Sequence, residues 1–243
     1  MSVLNSVKVT KAVRRFLDHG LPVFVRDSAW FMRPMFHYWF KGHHVREAME
    51  FKDLAYRLSD EELRGLLQEM ETRGDDRETD LGAPTVAALL ERLAHLPVSA
   101  AALDVGSGRG YLARLLGERG LGVTGIDLRP PRPENATFRY VEGDIGERLP
   151  FVDGSFDVVV STHVLEHVKY PARVAGELWR VAKSEVWVVL PKQRYAYYTP
   201  DLHLHFFPNR SSVIAVMGHE PEECFETEDE WFYRARKRPS RVT

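Results

Sequence analysis

The stretch LDVGSGRGYLARLL, residues 103–116, joins an apolar run to a helical pattern through Gly106, Gly108 and Gly110. Glycine at this density weakens both strand and helix, so this position requires bare backbone. In an α/β sheet, a glycine turn after the first strand lets a ligand approach the chain, and the following helix start offers N–H groups. The stretch therefore predicts a nucleotide-like ligand at the carboxyl ends of parallel strands.

Short runs rich in Val and Ile alternate with helical patterns on both sides of this turn. The predicted strands are 101–105, 122–127, 137–144, 156–162 and 185–190, with helices at 110–119 and 171–182. Strands alternating with helices are typical of parallel strands joined by crossover helices, and near-continuous apolar strands indicate a sheet covered on both faces. The predicted fold class is α/β, doubly wound, and residues 230–237 predict a last, more exposed strand.

The first 80 residues have a different pattern and read as helical pieces. Ser59 is a candidate N-cap for a helix over 59–71, and a charged break at 73–80 precedes another helix over 83–96. We therefore predict a helical N-terminal extension or lid over residues 1–80, followed by a sheet-containing domain over residues 81–243.

Composition narrows the class of protein. The chain has 243 residues, a formal net charge of −2 and one cysteine, Cys224, so we expect neither an intrachain disulfide nor a multi-cysteine metal site. The N-terminal sequence lacks an apolar signal region, and no uncharged apolar run approaches the roughly 18 residues of a spanning helix. These features predict a cytoplasmic protein without a global attraction to nucleic acid, although residues 234–243 are basic.

The spacing of the glycines discriminates between nucleotide ligands. The dinucleotide fingerprint G-x-G-x-x-G would place its third glycine at position 111, which is Tyr111, and no Gly-Lys-Ser/Thr follows as in a P-loop. Asp104 lies two residues before Gly106, where a carboxylate would repel a pyrophosphate. The turn is instead suited to a ligand with a positively charged end.

At this point LDVGSGRG resembles the first motif of the class I S-adenosylmethionine-dependent methyltransferases, and further segments match in order. The second and third strand regions of the family resemble GVTGIDL and VEGDIGERLPF. The fourth strand and its following loop, in the small-molecule branch of the family, resemble FDVVVSTHVLEHV, and the segment after the fifth strand resembles residues 203–218. The resemblance implies a Rossmann-like, mostly parallel seven-stranded sheet and a methyltransferase domain over residues 81–243. It implies S-adenosylmethionine as cofactor and S-adenosylhomocysteine as product.

The resemblance also assigns roles to residues. Asp127 would bind both ribose hydroxyls, Asp144 the adenine amino group, and Ile145 would flank the ring. His163 would lie near the methionine end. The complete predicted cofactor set is Asp104, Gly106, Ser107, Gly108, Gly110, Asp127, Leu128, Gly143, Asp144, Ile145 and His163.

Histidines are the candidate general bases for methyl transfer by direct displacement. His163 and His205 are the predicted catalytic residues, needed if the acceptor is a hydroxyl. His163 also begins an H-x-x-E-H pattern found in zinc proteases, but the pattern directly follows a buried strand, so we predict no metal site. Cys224 has no neighbouring nucleophile signature and is predicted to be a packed thiol.

The acceptor is the open question. The aromatic run 30–44 has three interpretations: core packing, a lid over an apolar acceptor, or peripheral membrane contact. Residues 161–164 lack the Asn/Asp-Pro-Pro-Tyr of enzymes that methylate amino groups of DNA bases. We predict a small-molecule acceptor, apolar or lipid-linked. A tRNA or protein methyltransferase and a non-catalytic cofactor-binding regulator are the alternatives, and the oligomeric state is not predicted.

Overall fold

The computed structural model describes residues 7–74, 77–128 and 138–237, so the proline-rich stretch 129–136 and the end of the basic tail lie outside the described residues. The chain divides into two compact units. Residues 1–80 together with 193–206 form the first, here called the helical unit. Residues 81–192 together with 207–243 form the second, the sheet unit.

Short helices make up the helical unit. They are α1 (Val7–His19), α2 (Val23–Arg26), α3 (Ala29–Trp39), α4 (Val45–Met49), α5 (Phe51–Arg57) and α6 (Asp60–Glu69). The predicted cap of α6 is present as a capping box, in which the Ser59 side chain accepts from the Glu62 amide and Glu62 accepts from the Ser59 amide.

The aromatic run 30–44 forms α3 and its C-terminal turn, and one face of it builds the core of the helical unit. Met32, Phe36 and Phe40 recur every four residues and are 0–1% exposed, whereas Trp30 on the same helix is 73% exposed. This helix is therefore amphipathic rather than apolar on all sides. Among the described residues, no helix is both long and apolar enough to cross a bilayer, and the cytoplasmic location stays a prediction.

Residues 193–206 were assigned to the domain over 81–243 by the sequence prediction, but they pack with the helical unit. Leu202 and Leu204 are buried in the same core cluster as Phe36. Lys52 Nζ donates to the Ala196 carbonyl, and also to the Tyr197 carbonyl at 2.9 Å. Tertiary contacts of this kind leave no periodic signal in the sequence, so the excursion could not be predicted.

The sheet unit contains the remaining elements. They are α7 (Ala83–Leu93), β1 (Ala101–Val105), α8 (Tyr111–Glu118), β2 (Gly122–Asp127), β3 (Arg139–Glu142), β4 (Phe156–Thr162), α9 (Pro171–Val181), β5 (Ala182–Pro191), α10 (Arg210–Met217), β6 (Glu223–Thr227) and β7 (Glu230–Arg236). The strand order is β3-β2-β1-β4-β5-β7-β6. Strands β1 to β5 are parallel, and β7 is antiparallel to both β5 and β6.

Successive side chains of the central strands pack against the helices on opposite faces of the sheet. Val158 and Val160 of β4 belong to the core cluster shared with α7 and α8, whereas Val159 belongs to the cluster shared with α9 and α10. Successive side chains of a strand point to opposite faces, so a strand buried on both faces must be apolar throughout. The predicted doubly wound, mostly parallel α/β class is confirmed.

The last strand differs from its prediction. Residues 230–237 were expected to form a more exposed strand, but Phe232 and Tyr233 of β7 are 0% exposed. The cause is β6, which the sequence prediction missed. Because β6 pairs along the outer side of β7, it turns an expected edge into an interior strand.

Candidate functional site

The glycine turn between β1 and α8 has a backbone that other residues adopt only with strain. Gly106, Gly108 and Gly110 have φ values of +74°, +50° and +77°. A Cβ atom on Gly106 would lie 2.1 Å from Val164 Cγ2, and one on Gly110 would lie 2.0 Å from Tyr140 Oη. A Cβ on Gly108 would meet no described heavy atom within 4 Å. The turn is thus closed by side chains at its two ends and open at its centre.

Hydrogen bonds from the neighbouring strand hold this turn in place. The amides of Gly106 and Ser107 donate to the Ile126 carbonyl at 2.9 and 3.1 Å. The Gly108 amide donates to Asp127 Oδ2 at 2.8 Å. The carboxylate at the end of β2 therefore lies directly beside the centre of the turn.

Asp104 is a buried carboxylate at the base of the turn. It is 1% exposed, and among the described residues neither of its carboxylate oxygens has a partner in hydrogen-bond geometry. Burial, and after it the charge of Asp127, raise the pKa of Asp104 to about 7, a net value that includes a lowering by the nearby Ala113 amide. A buried carboxylate in this state is stabilised by any cation that comes within reach.

Two further polar side chains at the turn are also buried without a hydrogen-bond partner among the described residues. They are the Ser107 hydroxyl and the Tyr140 hydroxyl. Burial, together with the charges of Asp104 and Asp127, raises the pKa of Tyr140 to about 12. Buried polar groups are nearly always hydrogen-bonded in native proteins, so this concentration at one turn indicates a polar ligand site. Tyr140 was missed by the sequence analysis because nothing in TFRYVEGD marks it.

The other predicted cofactor residues come to the same sheet edge. Asp127 ends β2 and Leu128 follows it, and both are half-buried. Gly143, Asp144 and Ile145 follow β3, where the Gly143 amide donates to the Asp127 carbonyl at 3.0 Å. Asp144 Oδ1 accepts from the Gly146 amide at 2.8 Å. The neighbouring strands β1, β2 and β3 thus each carry a carboxylate at or just after their carboxyl ends.

His163 lies at the end of β4 between two buried carboxylates. Its backbone has a φ of +56°, and its amide donates to the Val189 carbonyl at 3.0 Å. Nε2 lies 3.2 Å from Glu230 Oε1, and Nδ1 lies 3.6 Å from Glu166 Oε1. Glu166 and Glu230 are 0% and 1% exposed. Each ring nitrogen of His163 therefore has a buried carboxylate within 4 Å.

Glu230 also connects this histidine to the start of α7. It accepts from the Gly82 amide at 3.2 Å, and the Thr85 hydroxyl donates to it. Glu230 was not singled out by the sequence analysis, because its partners lie far away in the chain and no local pattern joins them.

His205, the other predicted catalytic residue, belongs to the helical unit. It is half-buried, and its Nε2 lies 3.5 Å from Tyr56 Oη. The neighbouring His203 is buried and contacts Gln193 Oε1 through Nδ1 at 2.8 Å. His163 belongs to the sheet unit, so the two predicted bases come from different units.

Comparison with known proteins gives a family match that lies within the sheet unit. Residues 103–190 match the family described as a methyltransferase domain. An uncharacterised methyltransferase of Mycolicibacterium gilvum is 38% identical over 95 residues, which cover 36% of this chain and 37% of that protein. One from Mycobacterium tuberculosis is 38% identical over 101 residues, 39% of each chain. The chain therefore matches little more than a third of the length of these curated relatives.

Alignment with solved structures identifies the fold of this chain. A SAM-dependent methyltransferase from Aquifex aeolicus aligns with a TM-score of 0.52 at 16% identity, covering 74% of this chain and 99% of that one. An S-adenosylmethionine-dependent methyltransferase from Mesorhizobium loti aligns with a TM-score of 0.50 at 18% identity, covering 64% and 99%. The predicted Rossmann-like fold is confirmed.

Proposed function

We propose that this chain, whose residues 103–190 form a methyltransferase domain of the class I S-adenosylmethionine-dependent type, transfers a methyl group to a small-molecule acceptor by direct displacement. One observation carries the proposal: the buried carboxylate of Asp104, without a hydrogen-bond partner among the described residues, lies beside a glycine turn that is open at Gly108. The positive charge of a cationic nucleoside would stabilise the Asp104 carboxylate, and the absence of a side chain at Gly108 lets such a ligand approach the backbone closely.

The residues at this edge fit S-adenosylmethionine. Asp127 has one carboxylate oxygen bonded to the turn, and a carboxylate oxygen has the capacity to accept from ribose hydroxyls as well. Asp144 and Ile145 supply a carboxylate and an apolar side chain for the adenine. Asp104, Ser107 and Tyr140 supply buried polar groups at the glycine end. The bound cofactor supplies a methyl group already activated by a positively charged sulfur.

What remains for the protein is alignment and exclusion of water. A donor of this kind requires no covalent enzyme intermediate, and positioning accounts for most of the barrier reduction. Burial raises the pKa of the half-buried Cys224 thiol, which disfavours a thiolate nucleophile. His163 lies between Glu166 and Glu230 at the predicted methionine end, and His163 and His205 both stay the candidate bases.

An apolar or lipid-linked acceptor is supported by the surface of the helical unit. Val23, Phe24 and Trp30 are 62%, 78% and 73% exposed on adjacent helices. Large apolar side chains exposed to this extent are available for contact with a lipid or an apolar ligand. A nucleic acid acceptor has weaker support, because Arg234 in the basic tail is paired with Glu185 and Glu223 at 2.9 and 2.8 Å.

Calorimetric titration of S-adenosylmethionine into the wild type and the Asp127→Ala variant tests cofactor binding. We expect the wild type to bind and the variant to lose at least tenfold in affinity, about 1.4 kcal/mol. Asp153→Ala, which removes an exposed carboxylate paired with Arg180, is the matched control. A wild type that does not bind contradicts the proposed function, and unchanged affinity in Asp127→Ala contradicts the role of that residue.

Incubation with methyl-labelled cofactor and a cell extract tests turnover and the acceptor class. Label in a small-molecule or lipid fraction supports the proposal, label in tRNA or protein supports the alternative acceptors, and binding without any labelled product supports a non-catalytic regulator.

A further inference from the structure

The helical unit contains a cavity of about 300 Å³ that belongs to it alone. Helices α1 and α3 form two of its walls and the segment 193–201 forms another. The lining residues are Thr10, Val13, Arg14, Leu17, Asp18, Arg26, Met35, Tyr38, Trp39, Gln193, Ala196, Tyr198, Thr199, Pro200 and Asp201. All of them belong to residues 1–80 or 193–206, so the cavity is distinct from the glycine turn of the sheet unit.

Aromatic and aliphatic side chains dominate the walls. Met35 and Trp39, one helical turn apart on α3, line the cavity together with Leu17 of α1 and Tyr198. These four side chains also pack against the core of the helical unit, so their positions are fixed by the fold. Val13 and Tyr38 at the lining are 43% and 39% exposed, which gives the cavity an opening to solvent.

The charged groups at the lining neutralise one another. Arg14 is paired with Asp201. Arg26, whose side chain is 6% exposed, lies 3.9 Å from Asp18 and also pairs with Asp27 at 3.0 Å. The charged side chains of the lining are thus two guanidinium groups and two carboxylates, so their formal charges cancel. An ionic ligand would have to break one of these pairs, whereas an uncharged ligand would not.

A space of this size is not a packing defect. Protein interiors contain few voids larger than a water molecule, and an apolar cavity of even half this volume binds small apolar molecules. Ligand pockets begin at roughly 300 Å³ and combine apolar walls with a few polar groups. Gln193 and Thr199, both buried, provide those polar groups here.

We infer that the cavity of the helical unit binds an uncharged, largely apolar small molecule. The helical unit is then a ligand-binding module in its own right, with apolar contacts from α1 and α3 and hydrogen-bonding groups from the segment 193–201. The inference concerns this unit alone and does not depend on methyl transfer by the sheet unit.

Displacement of the neutral dye Nile red from the full chain tests the inference. We expect saturable binding of the dye and its displacement by 1-decanol at concentrations at least tenfold lower than by decanoate or decylammonium. Met35→Trp and Leu17→Trp, which place a larger side chain in the cavity, should each weaken dye binding at least tenfold. Gln68→Trp, which adds the same side chain at an exposed position on α6, should leave dye binding within twofold of the wild type.

Circular dichroism shows whether a variant has folded, and two filling variants are used so that one folding failure does not decide the result. Dye binding that both folded variants retain, equal displacement by the charged and neutral chains, or no saturable binding to the wild type would each overturn the inference. Affinity for S-adenosylmethionine is measured in the same variants and should stay unchanged, so loss of cofactor binding is distinguishable from loss of the cavity.

Discussion

The imidazole of His163 and the carboxylate of Glu230 meet at 3.2 Å between Nε2 and Oε1, although 67 residues separate them in the chain. The contact joins the end of β4 to the start of β7. Because Glu230 also accepts from the Gly82 amide and the Thr85 hydroxyl, its position is fixed independently of the histidine. Glu230 therefore orients the ring of His163 and ties the start of α7 to the same point.

Glu230→Gln removes the charge of this carboxylate while keeping its size. We expect the free energy of unfolding to fall by about 1 to 3 kcal/mol, because buried donors lose a charged acceptor. We also expect the ¹⁵N chemical shift of His163 Nε2 to change, because its contact changes from a carboxylate to an amide. Glu226→Gln, at an exposed position of β6 paired with Lys192, should change stability by less than about 0.5 kcal/mol. An unchanged chemical shift of His163 Nε2 in Glu230→Gln would show that Glu230 does not contact the ring in solution.

The raised pKa of Asp104 makes stability depend on pH. The pKa of this carboxyl is about 7 in the folded protein and near 3.9 in an unfolded chain, so between these values the folded state holds the extra proton. The free energy of unfolding should therefore fall as pH rises from about 4 to about 7, by at most roughly 1.4 kcal/mol per pH unit from this group.

Urea unfolding of the wild type and Asp104→Asn across this pH range measures the effect. The difference in stability between variant and wild type should grow in favour of the variant as pH approaches 7, because the amide cannot ionise. A constant difference across the range would mean that Asp104 keeps an ordinary pKa in the folded protein.

Proton release on binding follows from the same carboxylate. If a cationic cofactor lies beside Asp104, it lowers the pKa of that carboxyl, so binding below pH 7 expels a proton. Affinity for S-adenosylmethionine should then rise from pH 6 to pH 8. Calorimetry at pH 6 in two buffers of different ionisation enthalpy counts the protons. Asp104→Asn should release none and Asp153→Asn should behave as the wild type does; equal proton release in all three proteins would place the cofactor cation elsewhere.

Alanine substitutions in the glycine turn distinguish the cost of a steric clash from the cost of a positive φ. Gly106→Ala places a Cβ against Val164 at 2.1 Å and should lower stability by several kcal/mol, since neither the backbone nor Val164 has room to yield. Gly108→Ala meets no described atom within 4 Å, so we expect only the cost of a positive φ, about 1 kcal/mol. Its methyl group should nevertheless reduce cofactor affinity at least tenfold. Thermal unfolding and calorimetry of both variants check this, and unchanged affinity in Gly108→Ala would contradict a ligand seated on the turn.

How far the sequence leads depends on whether a feature is local. The apolar run of β4, the cap at Ser59 and the glycine turn are encoded in neighbouring residues, and their predicted positions match the structure. The pairing of Glu230 with His163 and the return of residues 193–206 to the helical unit are not local. Such features depend on side chains that meet only after folding, so no spacing or periodicity reports them.

β6 shows a different limit. Its sequence, ECFET, is short and mostly polar, with no clear alternation, and such a segment becomes a strand only because β7 offers a partner edge. The burial of β7 could not be predicted without it. The cofactor residues stay a prediction, which sequence analysis could make because they lie at or just after the ends of strands that share one sheet edge.

Lys52 tests how the segment 193–206 is held. Its ammonium group bonds to the carbonyls of Ala196 and Tyr197 and lies 4.4 Å from the centre of the Phe206 ring. Burial lowers the pKa of Lys52 to about 8, so between about pH 8 and 10.5 the unfolded chain holds the extra proton and this group makes stability rise with pH.

Lys52→Met should lose that rise, and at pH 7 it should lower the free energy of unfolding by about 1 to 2 kcal/mol, because two carbonyls lose a charged donor. Limited proteolysis should then cut within 193–206 earlier than in the wild type. Lys41→Met, which removes an exposed lysine paired with Glu71, is the control and should cost less than about 0.5 kcal/mol. Equal proteolysis in both variants would show that the apolar contacts of Leu202 and Leu204 hold the segment without Lys52.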